Sequence, residues 1–110
     1  TSKDETFLRE VIQIIENQMS NTSFTIDVAV NAMAMGRTTF YKKLKSLTNM
    51  SPVEFIRDIR LKRAKQLLDT GELTVTEVAY KVGFNSSGYF STCFKEMYQA
   101  SPSDYLKKKG

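Results

Sequence analysis

Histidine and tryptophan are absent from this chain of 110 residues, and cysteine occurs once. Without an imidazole there is no histidine general base and no histidine metal ligand. A lone thiol closes no internal disulfide and builds no zinc cluster. With two prolines and five glycines, neither a Gly-rich phosphate loop nor a nucleophile elbow appears. No apolar run reaches the roughly eighteen residues of a membrane-spanning helix, and the opening residues do not read as a secretory leader. Carboxylate or lysine chemistry is compatible with the composition, but no constellation points to it. These absences turn the reading away from enzymes, cofactors and metals. The chain opens on Thr1 rather than Met, which reads as a piece of a longer protein.

What is present suits one folded domain. Apolar residues make up 41% and charged residues 25%, ordinary values for a globular chain of this length. The net charge is +4 with a pI near 9.2, which suits an anionic partner. The charge is unevenly placed. Residues 1–36 balance to −3, residues 37–70 to +6, residues 71–106 to −2, and Lys107–Lys109 add +3. The middle third is the electropositive part, and the last three lysines read as a frayed tail.

Helix signals dominate. Phe7, Leu8, Val11, Ile12, Ile15 and Met19 recur at three and four residues, one stripe of an amphipathic helix, with Ser2 and Glu5 reading as its capping box. Asn21–Ser23 ends it. A short helix over Ile26–Met33 follows, capped by Thr25, then a turn at Ala34-Met35-Gly36. Arg37 to about Leu47 is a third helix with Phe40, Leu44 and Leu47 inward. Ser51-Pro52-Val53-Glu54 places a cap, a proline at the first helical position and a glutamate at the third. That helix runs to Leu68 or Asp69, with Gly71 as its stop. Thr74 and Glu77 box the start of a short helix that Gly83 closes. Ser86 to Tyr98 and a last helix after Ser101-Pro102 complete seven helices, with no convincing strand. The fold class expected is all-α.

The chain also repeats itself. At a shift of fifty residues Phe40 falls on Phe90, Leu44 on Phe94, Lys45 on Lys95, Leu47 on Met97, Ser51-Pro52 on Ser101-Pro102, and Phe55 on Tyr105. The short helices ahead correspond with a one-residue offset at the turn. Each half is a short helix, a tight turn and a longer helix, the helix-turn-helix pattern whose second helix enters the DNA major groove. The expected organisation is one domain, 1–110. Its first unit spans about 5–50, a connecting helix 51–70, and its second unit 71–108. A connector of 18 residues is about 27 Å long, compatible with two helices reading grooves about 34 Å apart.

The outward stripes supply the candidate contacts. On the first reading helix they are Thr38, Tyr41, Lys42 and Lys45, with Arg37 at its start. Lysine and arginine pair with phosphates or donate to guanine N7 and O6, and Tyr41 suits a phosphate or a base methyl. On the second they are Ser87, Gly88, Ser91, Thr92 and Lys95. Asn85 and Ser86 sit at its start, where backbone N–H groups suit a phosphate. Arg37, Lys42, Lys43 and Lys45 make the first helix the more cationic, so it is expected to contribute more affinity. The second is expected to make fewer or water-mediated base contacts. Cys93 and the methionines read as core residues and packing fillers. On the connecting helix, Arg57, Arg60, Lys62, Arg63 and Lys65 read in part as ordinary helix surface, since Asp58 and Lys62 form an i,i+4 pair.

These residues resemble the DNA-binding domain of the AraC/XylS family of bacterial transcription regulators. The resemblance rests on Arg37 to Lys45, on Ser51-Pro52, Arg60-Leu61, Ala64 and Leu67-Leu68. It rests further on Val78-Ala79, Val82-Gly83-Phe84, Ser86, Tyr89-Phe90-Ser91, Phe94-Lys95, Ser101-Pro102 and Tyr105. It covers roughly residues 5–108. It also looks like the versions at the C-terminal end of hybrid two-component sensors in gut Bacteroidetes. The resemblance implies sequence-specific binding of double-stranded promoter DNA through both units and a role in transcription regulation, commonly activation. It implies RNA polymerase and an upstream sensor or dimerisation domain as partners, no cofactor, no small-molecule ligand in this segment, and a cytoplasmic site. The full-length protein would be membrane-anchored if it is a hybrid sensor. Two other readings stay open: a nonspecific or architectural DNA binder, and a helical protein-interaction module. Two positions depart from the family pattern. Ala34 and Gly36 stand where the family usually has Gly and Ser in the first turn. Thr92 stands where it often has Arg, which removes a base or phosphate contact from the second unit.

Overall fold

The structure, a computed structural model, describes residues 2–109. Seven helices follow one another: α1 (Ser2–Asn17), α2 (Ile26–Ala32), α3 (Arg37–Thr48), α4 (Pro52–Asp69), α5 (Val75–Lys81), α6 (Ser87–Tyr98) and α7 (Pro102–Lys109). No strand occurs among the described residues. The chain divides into two compact units, one formed by residues 1–18 and 23–59, the other by residues 19–22 and 60–110. α4 runs from the first into the second.

In the first unit the α1 stripe buries Phe7, Val11 and Ile15, while Leu8 and Ile12 stay half-buried. Phe7 meets Phe40 of α3 with ring centroids 5.3 Å apart, a tilted contact favoured by the ring quadrupoles. Phe24, Ile26, Ala29, Val30, Leu44, Phe55, Ile56 and Ile59 are also buried in this unit. Ser2 is already helical, so the expected Ser2–Glu5 box does not form the cap; the Thr6 hydroxyl instead donates to the Ser2 carbonyl, one turn back. Thr25 does occupy the N-cap of α2, in extended backbone, but its side chain makes no capping bond.

The second unit has its own core, built from Leu61, Ala64, Leu68, Val78, Ala79, Val82, Phe84, Phe90, Cys93 and Phe94. Phe84, Phe90, Phe94 and Tyr105 form a chain of tilted and edge-on ring contacts at 5.2–5.8 Å. Two of the three boxes read from the sequence are present, one at the start of α5 and one at the start of α4. Glu77 N–H donates to Thr74 Oγ1 while Glu77 accepts from Thr74 N–H, and Ser51 and Glu54 exchange the same pair. The lysines at 107–109 are not a frayed tail: they are the last turn of α7, and Lys109 reaches the Asp69 carboxylate at 3.5 Å. The Tyr105 hydroxyl donates to that carboxylate, so one acidic group at the end of α4 holds two residues of α7.

Candidate nucleic-acid interface

The repeat is one of hydrogen bonds as well as residues. In the first turn Met33 N–H reaches Ala29 O, Ala34 N–H reaches Asn31 O, and Met35 N–H reaches Val30 O, at 2.9, 3.2 and 3.3 Å. In the second, Val82, Gly83 and Phe84 reach Val78, Tyr80 and Ala79 at 3.0, 3.1 and 2.9 Å. Every partner is offset by forty-nine residues. After the turn the offset becomes fifty, since Phe40 bonds Gly36 O and Phe90 bonds Ser86 O. Asn85 is the inserted residue. Both long helices then end alike, on left-handed Asn49 and Gln99, whose N–H groups reach Lys45 O and Lys95 O at 2.8 Å.

The two turns use different chemistry to reach this geometry. The first carries its positive φ on exposed Ala34, at 52°, and caps α3 with Gly36, which has no side-chain oxygen. The second carries it on buried Gly83, at 93°, and caps α6 with Ser86, whose Oγ accepts from Tyr89 N–H at 3.2 Å. Glycine takes such angles without a Cβ clash, and serine satisfies one orphan donor of the helix start.

On α3, Phe40 and Leu44 are buried and Leu47 half-buried. Thr38, Lys42 and Lys45 are exposed on the outer stripe, and Tyr41 is half-buried beside them. Tyr41, Lys42, Lys45 and Ser46 line an open groove of about 530 Å³ with Met50, Ser51 and Pro52. Lys45 Nζ caps the helix end at Asn49 O, 3.2 Å away. Arg37 is exposed but engaged: its guanidinium lies 3.4 Å from Asp27, donates to the Tyr41 hydroxyl at 2.9 Å, and sits over the Tyr41 ring. Lys43 corrects the sequence reading. It turns away from the outer stripe toward α1, 3.8 Å from Asp4 and over the Phe7 ring. α3 therefore presents a smaller cationic face than its composition suggests.

On α6, Phe90, Cys93 and Phe94 are buried. Gly88, Thr92 and Lys95 are exposed, as are Asn85 and Ser86 ahead of them, while Ser87 and Ser91 are half-buried. Thr92 Oγ1 donates back to Gly88 O at 3.2 Å. The sequence reading named Tyr89 only in the family resemblance and not among the candidate contacts; it is 54% exposed and packs at an angle against Phe84, 5.9 Å away. Its signal was available: Tyr89 lies four residues after Asn85 and three before Thr92, on the outer stripe. Among the described residues no group of acidic and cysteine side chains is arranged to hold a metal ion, and no helix is long and apolar enough to cross a membrane.

Comparisons with known proteins agree with this geometry. The pattern of a helix-turn-helix domain family matches residues 29–108. The chain is 41% identical over 108 residues to histidine kinase P4 of Formosa agariphila, covering 98% of this chain and 8% of that protein. It is 32% identical over 107 residues to the Msm operon regulatory protein of Streptococcus mutans, covering 97% of this chain and 38% of that one. The chain thus spans a minor part of both relatives. Among solved structures, the DNA-binding domain of AdpA, a global transcriptional factor in complex with a target DNA, superposes with a TM-score of 0.81 at 26% identity over 93% of this chain and 90% of that one. A regulator from Chromobacterium violaceum with an AraC-type DNA-binding domain shares the fold at a TM-score of 0.89 and 18% identity, over 100% and 97% of the two chains. The family match over residues 29–108, on a chain with two turn-and-helix units of matched hydrogen bonds, makes it a member of the AraC-type helix-turn-helix domain family.

Proposed function

We propose that this domain binds double-stranded promoter DNA with sequence specificity, through α3 and α6 placed in adjacent major grooves. The observation that carries the reading is the matched pair of units, each turning a buried apolar stripe inward and a small, polar or cationic stripe outward. In the first unit Lys42 and Lys45 neutralise phosphates or donate to guanine, Thr38 and Tyr41 meet base edges or methyls, and Arg37, anchored by Asp27, offers its remaining donors to the backbone. In the second, Asn85, Ser86, Ser87 and Gly88 bring the helix start close to a phosphate, and Ser91, Thr92 and Lys95 face the bases. Gly88 suits a close approach, because it adds no side chain where the helix meets DNA. Metal, cofactor and catalytic chemistry have no part in this reading. The AdpA complex supports DNA as the partner. RNA polymerase, an upstream sensor or dimerisation domain, and a cytoplasmic setting complete the proposal. The likeness to a histidine kinase favours a two-component context.

The test is a selection of bound duplexes from a random library at physiological salt. Two short enriched elements about 10 bp apart are the expected result. Retention without enrichment would replace the proposal with a nonspecific or architectural binder. No retention would replace it with a protein-interaction module.

A further inference from the structure

Arg60 is a charged side chain of the second unit that the reading above does not use. It leaves α4 and enters a crowded place. Its Nη2 donates to Asn21 O at 2.9 Å, thirty-nine residues away in sequence. Its Nε–H is enclosed with no hydrogen-bond partner among the described residues. Against the guanidinium lies Gly83, the positive-φ residue of the second turn. A Cβ on Gly83 would fall 2.9 Å from both Cζ and Nε of Arg60, and 2.4 Å from Met19 O. Three pieces of chain meet here: the segment Met19–Thr22 between α1 and α2, the middle of α4, and the turn that launches α6. Met19–Thr22 belongs to the second unit although the residues on both sides of it belong to the first. The first turn has no counterpart, since Ala34 is exposed.

We infer that Arg60 is a positioning residue for the second reading helix, clamping the Met19–Thr22 segment against the Gly83 turn and so fixing where α6 begins. An arginine suits the task because its flat guanidinium can lie close against a residue without a Cβ while one of its N–H groups donates to a carbonyl. Lysine keeps the charge and one donor but lacks the plane. Desolvation holds the Arg60 guanidinium below the ordinary arginine pKa, consistent with its enclosure. The role in DNA recognition rests on the function proposed above; the clamp itself does not.

Two measurements on Arg60→Ala and Arg60→Lys separate the two. Amide NMR of the unbound domain reads the clamp. Arg60→Ala should shift or broaden residues 19–22 and 83–91 and leave residues 37–48 of α3 in place. Arg60→Lys, the milder change, should move the same residues less and keeps the test alive if the alanine variant does not fold. Unmoved amides at 83–91 in a folded variant would overturn the clamp. Footprinting on the selected duplex reads its use. Arg60→Ala should weaken binding about tenfold or more, the scale of one good base contact. The lost protection should fall on the half-site of α6, with the salt slope unchanged. Loss spread over both half-sites, or a slope reduced by about one, the mark of a direct phosphate contact, would overturn the positioning role. A wild-type domain that selects no DNA would refute the proposed function while the NMR result still decides the clamp.

Discussion

Ala34, Asn49 and Gln99 hold left-handed backbone, at φ 52°, 59° and 64°. A Cβ in that region costs about 1 kcal/mol or more, and asparagine tolerates it best. Ala34→Gly and Gln99→Gly should therefore each stabilise the domain by about 0.5–1 kcal/mol, after the glycine's extra unfolded-state entropy is subtracted. Urea denaturation reads this directly, and a lower midpoint for either variant would mean that the wild-type turn carries no strain. Gly83→Ala should run the other way, by about 2 kcal/mol or more, because a Cβ there meets Met19 O and Arg60 as well as an unfavourable φ. The sequence already marked Ala34 as a departure from the family's usual turn glycine. It counted Arg60 in the family resemblance and among the cations of the connecting helix but gave it no structural partner, because that partner lies thirty-nine residues away and no local spacing encodes that meeting.

Helix boundaries were legible because caps are local. Thr74 and Glu77, Ser51 and Glu54, and Ser86 all work within three residues of themselves. Thr25 and Ser2 show the limit: the residue type was right in both, but Thr25 forms no capping bond and Ser2 is already inside its helix. Ser86→Ala should cost about 1 kcal/mol by urea denaturation, whereas Gly36→Ser should add a few tenths of that, roughly the glycine-to-serine difference at an N-cap. Backbone N–H groups of Ser51 and Thr74 hold the Glu54 and Glu77 carboxylates below their ordinary pKa, with the Ser51 and Thr74 hydroxyl contacts adding to it. Because the folded values are depressed, the stability they contribute is present above 4.5 and lost as pH falls through the folded values. Carboxyl NMR should show both titrating below an unstructured glutamate. Tyr105 has the opposite sign. Its hydrogen bond to Asp69 pushes its pKa up to about 12, so that contribution is present below 10.0 and lost as pH rises through about 12. A phenolate absorbance titration with a tyrosine ionising near 12, lost in Tyr105→Phe, is the expected result.

At the scale of the whole molecule, the division of labour between the two units is the quantity to measure. The charge map placed the cations in the middle third of the chain, and the outer stripes followed from helical periodicity. The directions taken by Lys43 and Arg37 could not be read that way, because Asp4 and Asp27 lie on other helices. On the proposed function, with Lys43 turned to α1, the affinity of the first unit should fall chiefly to Lys42 and Lys45. Lys42→Ala should weaken binding to all sequences and lower the salt slope by about one. Thr92→Ala should leave the slope alone and lose less affinity. Equal losses at the two positions would remove the asymmetry between the units.

The single thiol gives the second unit a clock of its own. Cys93 is 4% exposed in the aromatic core of that unit, and no other cysteine occurs in the chain. A maleimide or disulfide reagent must wait for the core around α6 to open, so the labelling rate counts those openings one by one. Compared with loss of helical signal in the same urea series, it tells whether the two halves of the duplication melt together or whether the later one opens first. A natural tandem repeat thus carries a chemical tag in one copy only, and its two copies become separable in stability without any change to the sequence.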